Sequence, residues 1–243
     1  IMKNVYLTLL IGCMAMTLSH AANLPLSKPN VPAVIYVDAS ASGNNDGTSW
    51  TDAFISLQNA INAACGQGSG DIWVAKGTYY PDVVDKFNTN DRSSTFQLCN
   101  GVKIYGGFSG TENDLSDRNV TTHVTILSGD LQQDDSQQPI VSNASSNANN
   151  GDNAYHVVTG SGTDNTAVLD GFTVTAGNAD DYNAIGGLSG GGMYNNAGSP
   201  TIAYCVFSGN VAFDGNGGGM YNNDGSPTLT HCSFLGNLAY NGG

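Results

Sequence analysis

The residues of this 243-residue chain that come closest to acid–base chemistry are two pairs of adjacent carboxylates, Asp134-Asp135 and Asp180-Asp181. Hydrolysis of a glycosidic bond needs two carboxyl groups at one bond, with one of them held protonated. Adjacent strand residues point to opposite faces, so neither pair aims both groups at one bond. Both pairs sit in Asn-, Gln-, Ser- and Gly-rich segments, which indicates solvated loop acids. An arrangement of Asp170 with Asp180 or Asp181 across neighbouring strands is the alternative, but no aromatic or basic frame accompanies it.

The cationic residues argue against β-elimination from a uronate polysaccharide, which needs a base and a cation that stabilises the developing charge. The chain contains no Lys or Arg after Arg118. We expect the lone charges Lys86, Arg92 and Lys103 to be solvated surface residues. We therefore predict no catalytic residue and no polysaccharide-cleaving activity.

Calcium is the metal that the acidic residues would suit. The segment from Asp130 to the end holds 10 Asp, and carboxylates and carbonyls are the ligands of Ca²⁺. The Asn-Asn-Asp-Gly sequence at 44–47 resembles a cation-binding loop, but no D-x-D-x-D-G spacing follows it. Asp and Asn are also preferred turn residues. We therefore predict no cofactor and no metal-ligating residue, with Ca²⁺ as the alternative.

The composition indicates that the acidic and basic residues discussed above lie on β-strands and turns. The chain carries 7 Lys+Arg against 20 Asp+Glu, for a net charge of −13, and it contains 32 Gly. Glu112 is its only Glu, which excludes a helical bundle. So acidic a chain is a poor partner for nucleic acid. The 40% of hydrophobic residues argues against disorder.

An internal repeat then predicts the fold. Residues 190–216 and 217–243 are identical at 17 of 27 positions without a gap. A weaker copy lies at Phe172–Ala179, where Asn178 takes the place of Asn210 at a spacing of 32, so that about five extra residues near Asp180-Asp181-Tyr182 form a loop. Each unit divides into three short strands with three bends, which is one rung of a parallel β-helix.

Stacked rungs predict columns of equivalent residues. Adjacent strands lie about 4.8 Å apart, so paired Cα atoms should lie within about 7 Å. Asn pairs should form ladders at bends, where Asn tolerates positive φ, and the glycine triplets should allow tight corners. We expect Cys205 and Cys232 to be stacked thiols. The predicted inward columns are Met193/Met220, Ile202/Leu229, Cys205/Cys232 and Phe207/Phe234.

The GGG-M and F-S-G-N/F-L-G-N elements resemble the GGA[ILV] and FxxN repeats of the polymorphic outer-membrane protein family. More broadly, they resemble bacterial right-handed β-helix proteins of the pectin-lyase-like superfamily. Gly192 and Gly219 depart from the third position of the GGA element. The resemblance implies a right-handed single-stranded parallel β-helix, in a superfamily that hosts lyases, hydrolases, adhesins and stalks. The N-terminal segments that share this resemblance are 35–61, 71–82, 102–118, 125–130 and 169–178.

The resemblance also sets what an enzyme would require. Lyases of the superfamily use Arg or Lys as the base together with Ca²⁺, and polygalacturonase-like enzymes need a His and basic residues near their acids. His156 and His231 stand isolated in the sequence. His231 occupies the position that Tyr204 holds in the previous unit, which indicates a structural role.

An amphipathic helix should cover the apolar end of the first rung. It belongs to a predicted N-terminal cap and entry region over residues 23–125, and the β-helix rungs follow over residues 126–243. Phe54, Leu57, Ile61 and Ala64 form the apolar stripe of this helix, and Thr51 or Asp52 can cap it. The strands predicted after it are Asp71–Ala75, Thr95–Leu98 and Val102–Tyr105.

Residues 1–22 read as a secretory signal peptide, with lipidation of Cys13 as the alternative. The other cysteines, Cys65, Cys99, Cys205 and Cys232, allow three disulfide pairings that the sequence does not distinguish. Asn241-Gly242-Gly243 resembles the start of another rung, so we expect a longer protein with an anchor downstream.

These observations favour a non-enzymatic function. We expect a secreted or cell-surface, outer-membrane-associated adhesin or carbohydrate-contacting stalk, whose partner is an extracellular polysaccharide or a cell-surface glycan. The alternative is the N-terminal part of a polysaccharide lyase or glycoside hydrolase whose catalytic rungs lie beyond residue 243. No transmembrane span is expected in this chain.

Overall fold

The computed structural model describes residues 34–84, 87–136, 150–183 and 186–240. Within them the protein is predominantly β, with short strands, one α-helix and two short 3₁₀ helices. The predicted mostly parallel β protein with one helix near its start is confirmed. The strands are β1 (Val34–Val37), β2 (Gly70–Ala75), β3 (Gly77–Tyr79), β4 (Val83–Val84), β5 (Phe87–Asn88), β6 (Phe96–Gln97), β7 (Val102–Phe108), β8 (Thr125–Ser128), β9 (Val158–Thr159), β10 (Val168–Asp170), β11 (Phe172–Thr175), β12 (Asn178–Ala179), β13 (Met193–Asn196), β14 (Thr201–Ala203), β15 (Val206–Ser208), β16 (Val211–Ala212), β17 (Met220–Asn223), β18 (Thr228–Thr230), β19 (Ser233–Leu235) and β20 (Leu238–Ala239).

The strands form four parallel sheets and one antiparallel pair, β4–β5. One sheet has the order β1-β2-β7-β10-β14-β18, and a second has the order β3-β8-β11-β15-β19. The third is β6-β9-β13-β17, and the fourth is β12-β16-β20. Apart from the β1–β2 and β4–β5 pairs, consecutive strands lie in different sheets, and each of the four parallel sheets collects one strand from successive segments of the chain.

The 27-residue repeat appears directly in the pairing register. Met193 pairs with Met220, Ile202 with Leu229 and Phe207 with Phe234. The Phe207 and Phe234 rings stack at 4.9 Å, with 7° between their planes. The prediction of aligned columns is therefore confirmed for these pairs.

The column side chains of the first repeat are buried as predicted, whereas some of those in the second repeat are exposed. Met193, Cys205 and Phe207 are fully buried, whereas Leu229 and Phe234 are each 41% exposed. Strands β17 to β20 have a partner on one side only among the described residues, so the second repeat covers the first without being covered itself.

The weaker upstream copy pairs one residue away from the predicted alignment. Val174 lies opposite Phe207 and Asn178 opposite Val211, a spacing of 33 instead of 32. The spacing of 32 would place Thr175 opposite Phe207 and turn the apolar residue to the other face, because side chains alternate along a strand. Burial of Val174 therefore favours the observed register.

The capping helix begins later than predicted. Helix α1 spans Leu57–Gln67, and Ser56 is its N-cap, with a side-chain oxygen that accepts the Asn59 N–H. Thr51 and Asp52 are thus not its caps, and Phe54 precedes it and bridges to Val37. The buried face of the helix is Leu57, Ala60, Ile61 and Ala64.

A disulfide ties this helix to the chain after β6. Cys65 pairs with Cys99 across a Cα–Cα distance of 5.8 Å, which resolves the pairing that the sequence left open. Cys205 and Cys232 are free thiols, as predicted. The predicted strands at Asp71–Ala75 and Val102–Tyr105 are present and slightly longer, whereas Thr95–Leu98 contributes only Phe96–Gln97.

Asparagine ladders link the two repeats, but they do not occupy the left-handed positions. The Asn195 amide donates to Asn222 at 2.6 Å, and the Asn210 amide donates to Asn237 at 3.0 Å. The non-glycine residues of the two repeats with positive φ are Ala197, Tyr204, Asp214, Asp224 and His231. The ladders are confirmed, and the expected conformation is wrong.

The corner glycines are confirmed by their surroundings. A Cβ on Gly191 would lie 2.1 Å from the Val211 carbonyl oxygen, and Gly190 has a φ of +75°.

The predicted signal peptide, Cys13, and the final residues 241–243 lie outside the described residues. Within the described ranges, no helix has both the length and the apolar character needed to cross a membrane.

Candidate functional site

The loop inserted between the weak copy and the first full repeat builds one wall of an open groove. The other wall is formed by tyrosines from equivalent positions of the two repeats, and the volume between them is about 350 Å³. We call this site the tyrosine groove. It is lined by Asp181, Tyr182, Gly186, Gly187, Leu188, Ser189, Tyr194 and Tyr221.

Strand register produces the tyrosine wall. Tyr194 of β13 pairs with Tyr221 of β17, and their rings stack at 5.8 Å with 20° between planes. His156 extends the stack, with its ring 5.0 Å from that of Tyr194. Three rings therefore form a ladder across adjacent segments of the chain.

Two hydrogen bonds fix the shape and the position of the inserted loop. The Tyr182 hydroxyl donates to Asp214 Oδ2 at 2.6 Å, which joins the loop to the bend after β16. The Asp181 N–H donates to the Gly187 carbonyl at 3.0 Å. A Cβ on Gly186 would lie 2.3 Å from Tyr194 Cζ, and its φ is +81°, so a glycine is required where the loop meets the ring.

The polar groups of the groove are neutral hydrogen-bonding groups and carboxylates. Burial lowers the pKa of His156, whose Nδ1 lies 3.1 Å from the Gly190 carbonyl. The neutral ring donates its Nδ1 proton to that oxygen. Burial raises the pKa of Tyr194, and the Asp214 hydrogen bond raises that of Tyr182. Both phenols are therefore protonated at neutral pH.

One of the acids expected to be a solvated loop residue, Asp180, is instead held by an arginine. Asp180 forms an ion pair with Arg92 at 2.7 Å, and the Arg92 guanidinium lies 4.3 Å above the Tyr155 ring. Arg92 is therefore not a solvated surface charge. Asp181 does not share this ion pair and faces the tyrosine groove. Lys103 is exposed, as expected, and Lys86 lies outside the described residues.

Asp170 is held in the same way. It pairs with Arg118 at 2.8 Å, and Arg118 also lies over the Tyr105 ring at 5.3 Å. Burial raises the pKa of Asp170, and the Arg118 hydrogen bond partly offsets this. Asp170 and Asp180 are thus each paired with a different arginine, so these two residues do not form a free pair of acids.

Asp134 and Asp135 instead join Asp130, and single carboxylate oxygens of the three residues lie within 4.8 Å of one another. Asp130 is buried, whereas Asp134 is exposed. The 44–47 segment is bound internally: Asn45 accepts the Ile55 N–H, and Asp46 accepts the Thr48 N–H and hydroxyl.

The second histidine also belongs to a ring stack. His231 lies 4.7 Å from Tyr204 with 1° between planes, which supports its predicted structural role. These rings line a second groove of about 340 Å³ together with Val120, Thr173 and neighbouring residues.

The tyrosine groove was not predicted, although two of its components were visible in the sequence. The extra residues near Tyr182 indicated a loop, and insertions in stacked repeats often lie on a binding face. The repeated Met-Tyr-Asn-Asn element placed Tyr194 over Tyr221. Nothing in the spacing showed that the loop would turn back onto these rings.

Comparison of the chain with protein-family models, with curated proteins and with the solved structures finds no match in any of the three.

Proposed function

We propose that this chain is part of a right-handed parallel β-helix in a secreted or cell-surface protein, and that its tyrosine groove holds a neutral glycan without cleaving it. The observation that carries the proposal is the inserted loop, which builds a polar wall opposite the half-buried rings of Tyr194 and Tyr221. A β-helix stalk presents such a groove at a fixed position on an extended surface.

The strand arrangement supports the helical architecture. Each repeat contributes one strand to each of several parallel sheets and then returns to the first sheet 27 residues later. Connections between parallel strands of one sheet are almost always right-handed. The polymorphic outer-membrane protein resemblance of the GGG-M and FxxN elements implies the same architecture.

The chemistry of the groove favours a sugar. Aromatic rings offer apolar faces and edges, and Tyr adds a hydroxyl that remains available at a wet surface. Asp181, Ser189 and the Tyr194 hydroxyl supply donors and acceptors within the same groove, and a few polar groups among apolar ones fix a ligand's orientation.

Charge favours a neutral glycan over an acidic one. The groove contains Asp181 and borders Asp214, and no Lys or Arg lines it among the described residues. The whole chain carries a net charge of −13. A uronate or sialylated glycan would meet repulsion from the site and from the protein.

The ion pairs of the two arginines support the proposal that the protein binds a glycan without cleaving it. Arg92 and Arg118 each form an ion pair with one of the predicted acids, Asp180 and Asp170 respectively. An arginine in an ion pair keeps its proton and is a poor base for elimination.

A panel of immobilised neutral and acidic glycans tests the proposal. We expect the purified chain to retain one class of neutral glycan, and Tyr221→Ala to weaken that binding by about tenfold or more, equivalent to about 1.4 kcal/mol. Tyr240→Ala is the matched control, because Tyr240 is 78% exposed and lies outside the groove. Equal binding by both variants, or preference for acidic glycans, would contradict the proposal.

A further inference from the structure

A second polar site lies in the turn after β8, away from the tyrosine groove. Asp130 is 1% exposed, and its two carboxylate oxygens accept the N–H groups of Asp134 and Asp135 at 3.1 and 3.3 Å. These hydrogen bonds curl the turn so that single oxygens of all three carboxylates lie within 4.8 Å of one another. The turn therefore brings three hard oxygen ligands together.

The segment that follows the 3₁₀ helix Asn150–Asp152 packs against this turn. The Ala154 N–H donates to the Gly129 carbonyl at 2.8 Å, and the Asn153 amide donates to Asp135 Oδ2 at 3.0 Å. Asn153 is 1% exposed, so its amide is directed into the carboxylate cluster from the buried side.

Two buried side-chain oxygens near the three carboxylates provide a second, independent indication of a bound cation. Among the described residues, Asp152 Oδ1 and Asn153 Oδ1 have no hydrogen-bond partner. A buried polar atom without a partner costs about 1–3 kcal/mol, and such an atom in a native protein requires a reason. Amide and carboxylate oxygens are the ligands that Ca²⁺ takes.

We infer that Asp130, Asp134, Asp135 and Asn153 form a Ca²⁺ site, which we call the acid turn, with the Asp152 carboxylate close to it. Ca²⁺ accepts six to eight oxygens in flexible geometry, whereas Mg²⁺ demands a near-ideal octahedron. Ligands from a turn and a separate segment suit the larger ion. The bound cation would join residues 130–135 to Asn153 and supply the missing partner of its Oδ1.

The electrostatic setting agrees with this assignment. Asp134 and Asp152 lie close enough to Asp130 for their negative charges to act on its carboxylate. The nearby Arg92 donates to the Asn153 carbonyl at 2.6 Å, but its charge is balanced by Asp180. A divalent cation would relieve the repulsion among the carboxylates.

Calorimetric titration of the chelator-treated chain with CaCl₂ tests the inference. We expect one Ca²⁺ per chain, weaker binding of Mg²⁺, and a higher thermal unfolding midpoint with Ca²⁺. Asp134→Asn should weaken Ca²⁺ binding by about tenfold or more, the scale on which loss of even a supporting group acts. Because Asp134 is exposed, this variant should fold normally.

Asp164→Asn is the control, because Asp164 is also an exposed turn carboxylate that accepts a backbone N–H two residues later. Unchanged Ca²⁺ binding by Asp164→Asn together with loss in Asp134→Asn supports the acid turn. Absence of Ca²⁺ binding by the native chain, or equal binding by both variants, overturns it. Neither result depends on whether the tyrosine groove binds a glycan.

Discussion

The two 27-residue repeats share most of their sequence and all of their strand positions, yet their side chains experience different environments. Phe207 is fully buried between Val174 and Phe234, whereas Phe234 is 41% exposed. Asn210 is buried and Asn237 is partly exposed. In a stack of repeats, the neighbour on each side decides what a residue contributes. The same residue type at equivalent positions of the two repeats therefore contributes differently to the free energy of unfolding.

The largest expected difference is between the two phenylalanines. Phe207→Ala should cost about 3–5 kcal/mol of unfolding free energy, because it removes a buried aromatic side chain. Phe234→Ala should cost less than half as much, since much of the ring already contacts water. Urea denaturation of both variants measures the difference, and equal losses would mean that burial in the two repeats is equivalent.

The asparagine ladder should show the next largest difference. The Asn210 amide donates to the Val174 carbonyl and its oxygen accepts the Gly177 N–H, both at 3.0 Å. Asn210→Ala leaves these buried groups unpaired and should cost about 2–3 kcal/mol. Asn237→Ala, at a partly exposed position, should cost about 1 kcal/mol. Unfolding free energies from denaturant titration compare the two, and a larger loss at Asn237 would contradict the account.

The two histidines extend the comparison to pH. Burial lowers the pKa of His156 below the ordinary 6.5, so the unfolded chain takes up a proton before the folded chain does. The stability from neutral His156 is complete above about pH 6.5 and is lost as the pH falls towards its folded pKa. His156→Gln should make unfolding less dependent on pH between about pH 7 and 5.5. His231→Gln, at an exposed ring, is the control, and an identical pH profile for native and His156→Gln proteins would contradict this.

The smallest effect is expected in the inserted loop. Asp181 is half-buried, and its side chain accepts only the Asn183 N–H among the hydrogen bonds in the described residues. Asp181→Ala should change the unfolding free energy by less than about 0.5 kcal/mol. A loss as large as that of Phe207→Ala would show that the loop is part of the core.

The sequence predicted the parts of the fold that depend on periodicity. A gapless repeat fixes register, because a slip of one residue would turn every apolar side chain to the wrong face. The same rule explains the error at Phe172–Ala179, where matching Asn178 to Asn210 outweighed the alternation of Val174. The helix start was misplaced because Thr51, Asp52 and Ser56 are all capping residues, and local sequence does not choose among them.

The site could be predicted only in fragments, because its contacts join distant segments. Arg92 meets Asp180 across 88 residues, and Arg118 meets Asp170 across 52. Ion pairs of this kind leave no local pattern, so Arg92 was interpreted as a lone charge and no role was predicted for Arg118. The acid turn was visible as Asp134-Asp135, but its contact with Asn153 depends on how two segments pack.

The most direct test of the account is the mass of the glycan recovered from the protein. The purified chain is incubated with the neutral oligosaccharide that it retains and, separately, with pectate and alginate oligosaccharides, with and without Ca²⁺. The account predicts that the neutral oligosaccharide is eluted with its mass unchanged and that no sample gains reducing ends or unsaturated uronate absorbance. Shortened products above a denatured control would contradict the claim that the groove holds a glycan without cleaving it, and would favour the hydrolase or lyase alternative.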